Sequence, residues 1–406
     1  MVLGIVAILC IPDLWSYLRG RRRANALHYV REQRDIASFE ILGADNTLEG
    51  RLQSRAIPNG RLKEPFNIDS SFTTVDPAIH HEFLQRAKVD IDRMDPQHCI
   101  EFFNAADVAL KRTLDYYKPL MEHVPLASVA RVFTLMAVLN KFFAADVEGM
   151  DVAATEVATQ KINDLWVDSK DTSQPVSASD QDDLQLALWR LLPDCFPCEH
   201  KDNPINIIIP AYETMWRVVL LTFISAGFRS PDEATTEQFQ QVVEAVPECF
   251  GPLDASSQEL ALAFAKEGLR LYPPTRHIHR AVPTDQEDGH ETKVADVEAC
   301  HRNTTIWGAD ALVFRPSRWF DPSSADKRRA YFPFGVGPHT CPAAARFGNR
   351  AVIILAVVLA RHLGAHETGS IVYFWSTKIR SNGLKAPLPA QRNDMERWTL
   401  EMSVPN

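Results

Sequence analysis

The chain has no excess of positive charge. Its 406 residues carry a net charge of −9. That balance argues against a nucleic-acid binder and leaves room only for a local basic face. A disulfide framework is also missing. The seven cysteines are odd in number and scattered, which suits a reducing compartment. Two apolar runs are too short to cross a membrane. Val2–Ile11, as a helix, is about 15 Å long, half of the ~30 Å hydrocarbon core. Ala351–Ala360 is equally short. Metal-site spacing is sparse too. Cys195-Phe196-Pro197-Cys198 has no second pair, and His277 and His279 have no third ligand nearby, so zinc is disfavoured.

The composition is that of an ordinary folded protein, 46% hydrophobic and 23% charged, in a chain long enough for one large domain or two to three small ones. The N-terminal apolar run is stopped by Pro12-Asp13. Trp15 and Tyr17 come next, then Arg19-Gly20-Arg21-Arg22-Arg23. Positive charge after the run is the reverse of a cleavable secretory signal and would hold the adjoining domain on the cytoplasmic side. Residues 1–23 read as a short anchor or interfacial helix on a membrane surface, with a disordered start as the rival reading. Short strands are expected near Phe39–Leu42 and Leu52–Ala56. A helix is expected from Pro77, capped by Thr74 or Asp76. Residues 96–200 read as several helices, with 168–183 a loop.

Two stretches carry chemistry. The first is Tyr331-Phe332-Pro333-Phe334-Gly335-Val336-Gly337-Pro338-His339-Thr340-Cys341-Pro342, with a helix expected from about Ala343. Gly335 and Gly337 allow a tight turn and close approach to a flat ligand. Helix-start amides favour a thiolate on Cys341, which suits an iron ligand. The second stretch is Ile205–Gly227, apolar on nearly all sides and therefore a core helix. Pro210 removes an amide and kinks it. Glu213 and Thr214 come within one turn of it. Further on, Glu267 and Arg270 share a helix face that ends at Pro273-Pro274. Thr275–Val282 alternates as a strand. Ala343–Leu363 reads as an apolar helix ended by Gly364, and Ile371–Phe374 and Trp398–Met402 as short strands.

Phe334-Gly335-Val336-Gly337-Pro338-His339-Thr340-Cys341-Pro342-Ala343 resembles the cysteine loop of the cytochrome P450 family, with His339 and Ala343 at positions where Arg and Gly are commoner. Ala211-Tyr212-Glu213-Thr214 is similar to the family's central-helix motif. Glu267/Arg270 resembles its Glu-x-x-Arg, and Arg315-Pro316-Ser317-Arg318-Trp319 its Pro-Glu-Arg-Phe region, with Ser317 for Glu and Trp319 for Phe. The four motifs stand in the family's order and cover roughly the C-terminal half. One departure is plain: no Trp-x-x-x-Arg, the usual propionate contact, is recognisable. Lys111, Arg112 and Arg131 are the candidates for that role.

The resemblance implies a mainly α fold with small β sheets, and haem b between two long helices. Residues 24–406 would form one catalytic domain. Cys341 would be the iron ligand, with Phe334, Gly337, His339 and Arg280 about the haem. Thr214 would hydrogen-bond oxygen in the site, and Glu213 would relay protons. The expected activity is a monooxygenase using O2 on a small, largely apolar organic substrate, in a manner suggesting fungal secondary metabolism. Electrons would come from NADPH through a flavoprotein cytochrome reductase, at the cytoplasmic face of the endoplasmic reticulum membrane. Two rivals are a haem-thiolate isomerase or dehydratase that needs no external electrons, and a degenerate member without catalysis.

Overall fold

A computed structural model describes residues 2–119, 123–173, 175–252, 254–286, 289–320, 325–374, 377–378 and 387–402. In chain order the helices are α1 (Val2–Ala37), α2 (Leu48–Asn59), α3 (Lys63–Phe66), α4 (Pro77–Asp92), α5 (Pro96–Tyr117), α6 (Leu126–Phe143), α7 (Val152–Asp168), α8 (Ala178–Leu191), α9 (Ile205–Ile208) and α10 (Met215–Phe228). Next come α11 (Glu233–Ala245), α12 (Ala255–Leu271), α13 (Val297–Arg302), α14 (Thr304–Trp307), α15 (Ala325–Ala330) and α16 (Phe347–Leu363). The strands are β1 (Val124–Pro125), β2 (His277–Pro283), β3 (His290–Asp296), β4 (Ile371–Phe374), β5 (Thr377–Lys378) and β6 (Trp398–Glu401). The fold is mainly helical with small antiparallel sheets, as expected. One sheet runs β1-β6-β4-β5, and β2-β3 is a separate hairpin.

The core is helix on helix. α10 packs against α16, α12 and α6. Stretches around α6, α10 and α16 are long and apolar enough to cross a membrane. Yet 72%, 78% and 72% of their apolar windows lie buried inside the fold, which makes them core helices here. For α16 it is the whole helix, not the ten-residue run, that reaches this length. The expected kink in the central helix is present: α9 passes into a π-helical turn at Ile209–Glu213 before α10 begins. Pro210 cannot donate to the ladder, and a wider turn accommodates the loss.

Four expectations are corrected. Pro12-Asp13 does not stop the first helix: α1 runs through it to Ala37. Residues 18–25 are exposed, while Ala26, Val30 and Ala37 are buried. That second half packs on β2, β3 and α14. The side chains of 1–17, and with them the expected membrane contact, lie outside the described residues. The strands expected at 39–42 and 52–56 are helical, as a 3-10 turn at Glu40–Asp45 and α2. Thr47 accepts from the Gly50 amide at 3.1 Å and starts α2. Burial of Leu52, Ser54 and Ala56 mimics strand alternation in sequence. The loop expected over 168–183 is shorter, because Ser177 caps α8. Finally, Cys341 leads into one 3-10 turn, Pro342–Ala344, and α16 starts only at Phe347. Asp76 caps α4, with Pro77 in its first turn, as expected.

Candidate active site

The cysteine loop is built by backbone hydrogen bonds. The Gly335 amide donates to Phe332 O at 3.0 Å, and the Cys341 amide donates to Phe334 O at 2.9 Å. Gly335 and Gly337 adopt φ of 74° and 84°, the left-handed region that glycine enters without a Cβ penalty. Gly337 is also pressed against α1's exit. A Cβ there would lie 2.8 Å from Ser38 Cβ. Phe334 leans on Gly348, whose added Cβ would meet the ring at 2.4 Å. So α16 holds the loop from below and the end of α1 from the side.

Cys341 keeps accessible surface although protein surrounds it closely enough to perturb its thiol. Burial pushes the thiol up from its ordinary value, against the pull of the Ala343 amide and the Arg55 charge. Because α16 begins late, that single amide replaces the helix-start cluster expected from sequence.

Basic groups gather beside the loop. Arg55 Nη1 lies 2.8 Å from His339 Nδ1, and Arg51 Nε lies 3.3 Å from His339 Nε2. The His80 ring sits 4.9 Å from the His339 ring, and its Nδ1 contacts Ser71 Oγ at 2.9 Å. Phe39 lies between the His339 ring, at 5.1 Å, and the Arg280 guanidinium, at 4.1 Å. Desolvation pulls Arg55 down to about 10 and Arg280 to about 9, the latter helped by Arg55. Desolvation and neighbouring cations hold His339 at about 3 and His80 at about 4.

The structure therefore brings Cys341, Gly337, His339 and Arg280 together. It does not bring in the candidates for the missing motif. Arg131 is buried against Glu396 and stacks on Trp216, Arg112 donates to the Val147 carbonyl, and Lys111 is exposed. Arg51 and Arg55 of α2, and His80 of α4, take their place. Sequence reasoning missed all three. The i, i+4 spacing of the two arginines was the available signal, hidden by reading that stretch as a strand.

Glu213 and Thr214 sit at the end of the π turn. Glu213 is 1% exposed, and its charge acts on Arg61. Arg61 stacks on Trp166 at 5.0 Å and donates to Ser169 Oγ. Thr214 is half-buried.

Behind the loop lies a buried ionic knot. Arg270 grips Glu267 with two hydrogen bonds of 2.8 and 2.9 Å. Glu267 also accepts from Arg318 Nε at 2.9 Å, the Arg315 amide at 2.9 Å and Trp319 Nε1 at 3.0 Å. Burial pushes Glu267 up, but Arg270 and Arg318 outweigh it and hold the carboxyl below its ordinary value. His301 ties this knot to the loop. Its Nδ1 faces the Arg270 carbonyl at 3.1 Å, and Phe332 N donates to its Nε2 at 3.0 Å.

A knot of this sequence pattern behind a cysteine loop agrees with the comparisons. The family model "Cytochrome P450" matches residues 236–345. Over that stretch the chain is similar to the cytochrome P450 family. It is 29% identical over 167 residues to Cytochrome P450 52A1 of Candida tropicalis, covering 35% of this chain and 30% of that protein. It is 37% identical over 102 residues to Cytochrome P450 CYP749A22 of Panax ginseng, covering 23% and 20%. The matched stretch thus spans under a third of either relative. Solved structures carry the comparison across the fold. CYP175A1 of Thermus thermophilus superposes with a TM-score of 0.55 at 15% identity, covering 86% of this chain and 91% of that one.

The similarity to that family implies a haem held by a cysteine thiolate. The residues present fit that group. Cys341 is an exposed residue on a loop shaped for close approach. Among the described residues no carboxylate forms a salt bridge with Arg51, Arg55 or Arg280. Arg280 Nε is buried without a hydrogen bond, as suits a site that receives an anionic group. Among the described residues no cluster of three or more metal-ligating side chains forms, so a single cysteine is the protein's candidate ligand.

Proposed function

We propose that this protein is a haem-thiolate monooxygenase that inserts one atom of O2 into a small, largely apolar organic substrate. The observation that carries the reading is the accessible Cys341 on its glycine loop, beside a cationic cluster that pairs with no carboxylate among the described residues. Cys341 would ligate the iron, and Arg280 and His339 would face the haem edge. Haem held this way supplies oxygen activation, with the thiolate pushing electron density that favours O–O cleavage. A coordinating metal deprotonates a thiol outright, which offsets the upward push of burial on Cys341.

The remaining roles belong to the kinked helix. The π turn widens the ladder beside Thr214, so its hydroxyl would hydrogen-bond oxygen in the site. Glu213, one residue earlier and buried, would hold and pass the proton that O–O cleavage consumes. Arg61, within reach of the Glu213 charge, would orient it. Electrons would arrive from NADPH through a flavoprotein reductase. Residues 1–23 would be the contact with the endoplasmic reticulum membrane, and residues 24–406 one catalytic domain.

Turnover with reductase, NADPH and isotopically labelled O2 tests the reaction. A product carrying one labelled oxygen is expected. Product formed without NADPH would instead establish an isomerase or dehydratase.

A further inference from the structure

The arginines of α2 have no role in the proposed reaction, yet they lie at its edge. Guanidinium groups donate hydrogen bonds and never accept them, and a neutral imidazole has one acceptor nitrogen. Arg55 and Arg51 approach the two opposite ring nitrogens of His339, at 2.8 and 3.3 Å. His339 can satisfy only one of them. The shorter contact belongs to Arg55, and in the tautomer that serves it Nε2 carries the proton and leaves Arg51 Nε at 3.3 Å without an acceptor. Arg51 is held in place by its other nitrogen, which donates to the Asn46 carbonyl at 2.8 Å and Asn46 Oδ1 at 3.2 Å. Arg280, 9% exposed, adds a buried Nε without a hydrogen bond. Among the described residues its other nitrogens reach only backbone carbonyls, His279 O and Ala37 O. Three cations packed together without a carboxylate destabilise the fold unless an anion joins them.

We propose that Arg51 and Arg55 of α2, together with Arg280, bind the carboxylates of the haem, replacing the tryptophan–arginine pair that this chain lacks. The inference rests on the haem reading and adds two residues that no motif identifies. Spaced i, i+4 on one face of α2, the arginines reach the cysteine loop side by side. A planar guanidinium matches a carboxylate with two parallel hydrogen bonds. α2 packs on β2, which would hold the two arginines in place against the haem carboxylates.

The test is titration of the haem-free protein with haem and with haem dimethyl ester, whose carboxylates carry no charge. The natural chain should bind haem and strongly prefer it to the ester. In Arg55→Met the affinity for haem should fall about tenfold to a hundredfold, the range for losing charge-assisted hydrogen bonds, while affinity for the ester stays the same. Arg51→Gln should show the same pattern more weakly, and it provides the reading if Arg55→Met does not fold. A structural role for Arg55 would lower the thermal stability of the haem-free protein. A ligand role predicts that Arg55→Met melts at the same temperature or higher, because a like-charged neighbour is gone. Unchanged haem preference in both variants, or equal loss of haem and ester, overturns the assignment alone. A natural chain that binds neither ligand overturns the haem reading with it.

Discussion

At the scale of single residues, Glu267 decides most. Its two oxygens receive hydrogen bonds from Arg270, Arg318, Trp319 and the Arg315 amide. Removing the carboxylate leaves the buried Arg270 guanidinium uncompensated and Arg318 with Asp310 alone, at 3.5 Å, so Glu267→Ala should cost about 3–5 kcal/mol and yield little haem-loaded protein. Trp319→Phe removes one donor from the same carboxylate and should cost less, about 1.5–3 kcal/mol. Denaturant midpoints of the two variants check this order. The glycines give a second contrast. Gly335→Ala meets no atom within 4 Å and should cost only the left-handed strain, about 1–2 kcal/mol. Gly337→Ala adds a collision with Ser38 and should lose clearly more.

His301 sets a pH response. Burial, helped by Arg270, lowers it to about 3 from an ordinary 6.5. The unfolded chain therefore binds a proton between these values that the folded chain refuses. Stability is full above pH 6.5 and is lost as pH falls toward 3, by up to about 1.4 kcal/mol per pH unit from this group. His80 and His339 act in the same sense. The urea midpoint of His301→Gln, tracked from pH 7 to 4, should fall less steeply than that of the natural chain. An identical slope would show that His301 is not the group.

At the scale of elements, the central helix and the cysteine loop were legible because each depends on residues with restricted or permissive backbones. Pro210 announces a break in the ladder, and Gly335 and Gly337 announce a tight turn. The form of the break, a π turn rather than a simple kink, was not legible, since it depends on how α9 and α10 are held by their neighbours. Pro210→Ala restores an amide and should let the helix close toward regular α geometry. Thermal stability should then rise, while product formed per NADPH consumed should fall. A variant that turns over with unchanged coupling would detach the widened turn from the chemistry. α2 shows the opposite limit. Its alternating burial of Leu52, Ser54 and Ala56 suggested a strand, and only its Thr47 cap and its tertiary contacts make it a helix. Misreading that element concealed Arg51 and Arg55.

At the scale of the whole molecule, the C-terminal half could be read because its motifs are local, with partners a few residues apart. The Glu267–Arg318 contact spans 51 residues, yet each partner carries its own short signature. The N-terminal half has no such signatures. There α1, α2 and α4 contribute through long-range contacts: Ser38 against Gly337, Arg51 and Arg55 against His339, and His80 beside it. Everything converges on Cys341. The most direct measurement is therefore a carbon monoxide difference spectrum of the purified, haem-loaded, reduced protein. A strongly red-shifted Soret band is the predicted result, and Cys341→Ala should abolish it. A band at the position of histidine-ligated haem, or no band at all, would contradict thiolate ligation by Cys341 and with it the account given for this site.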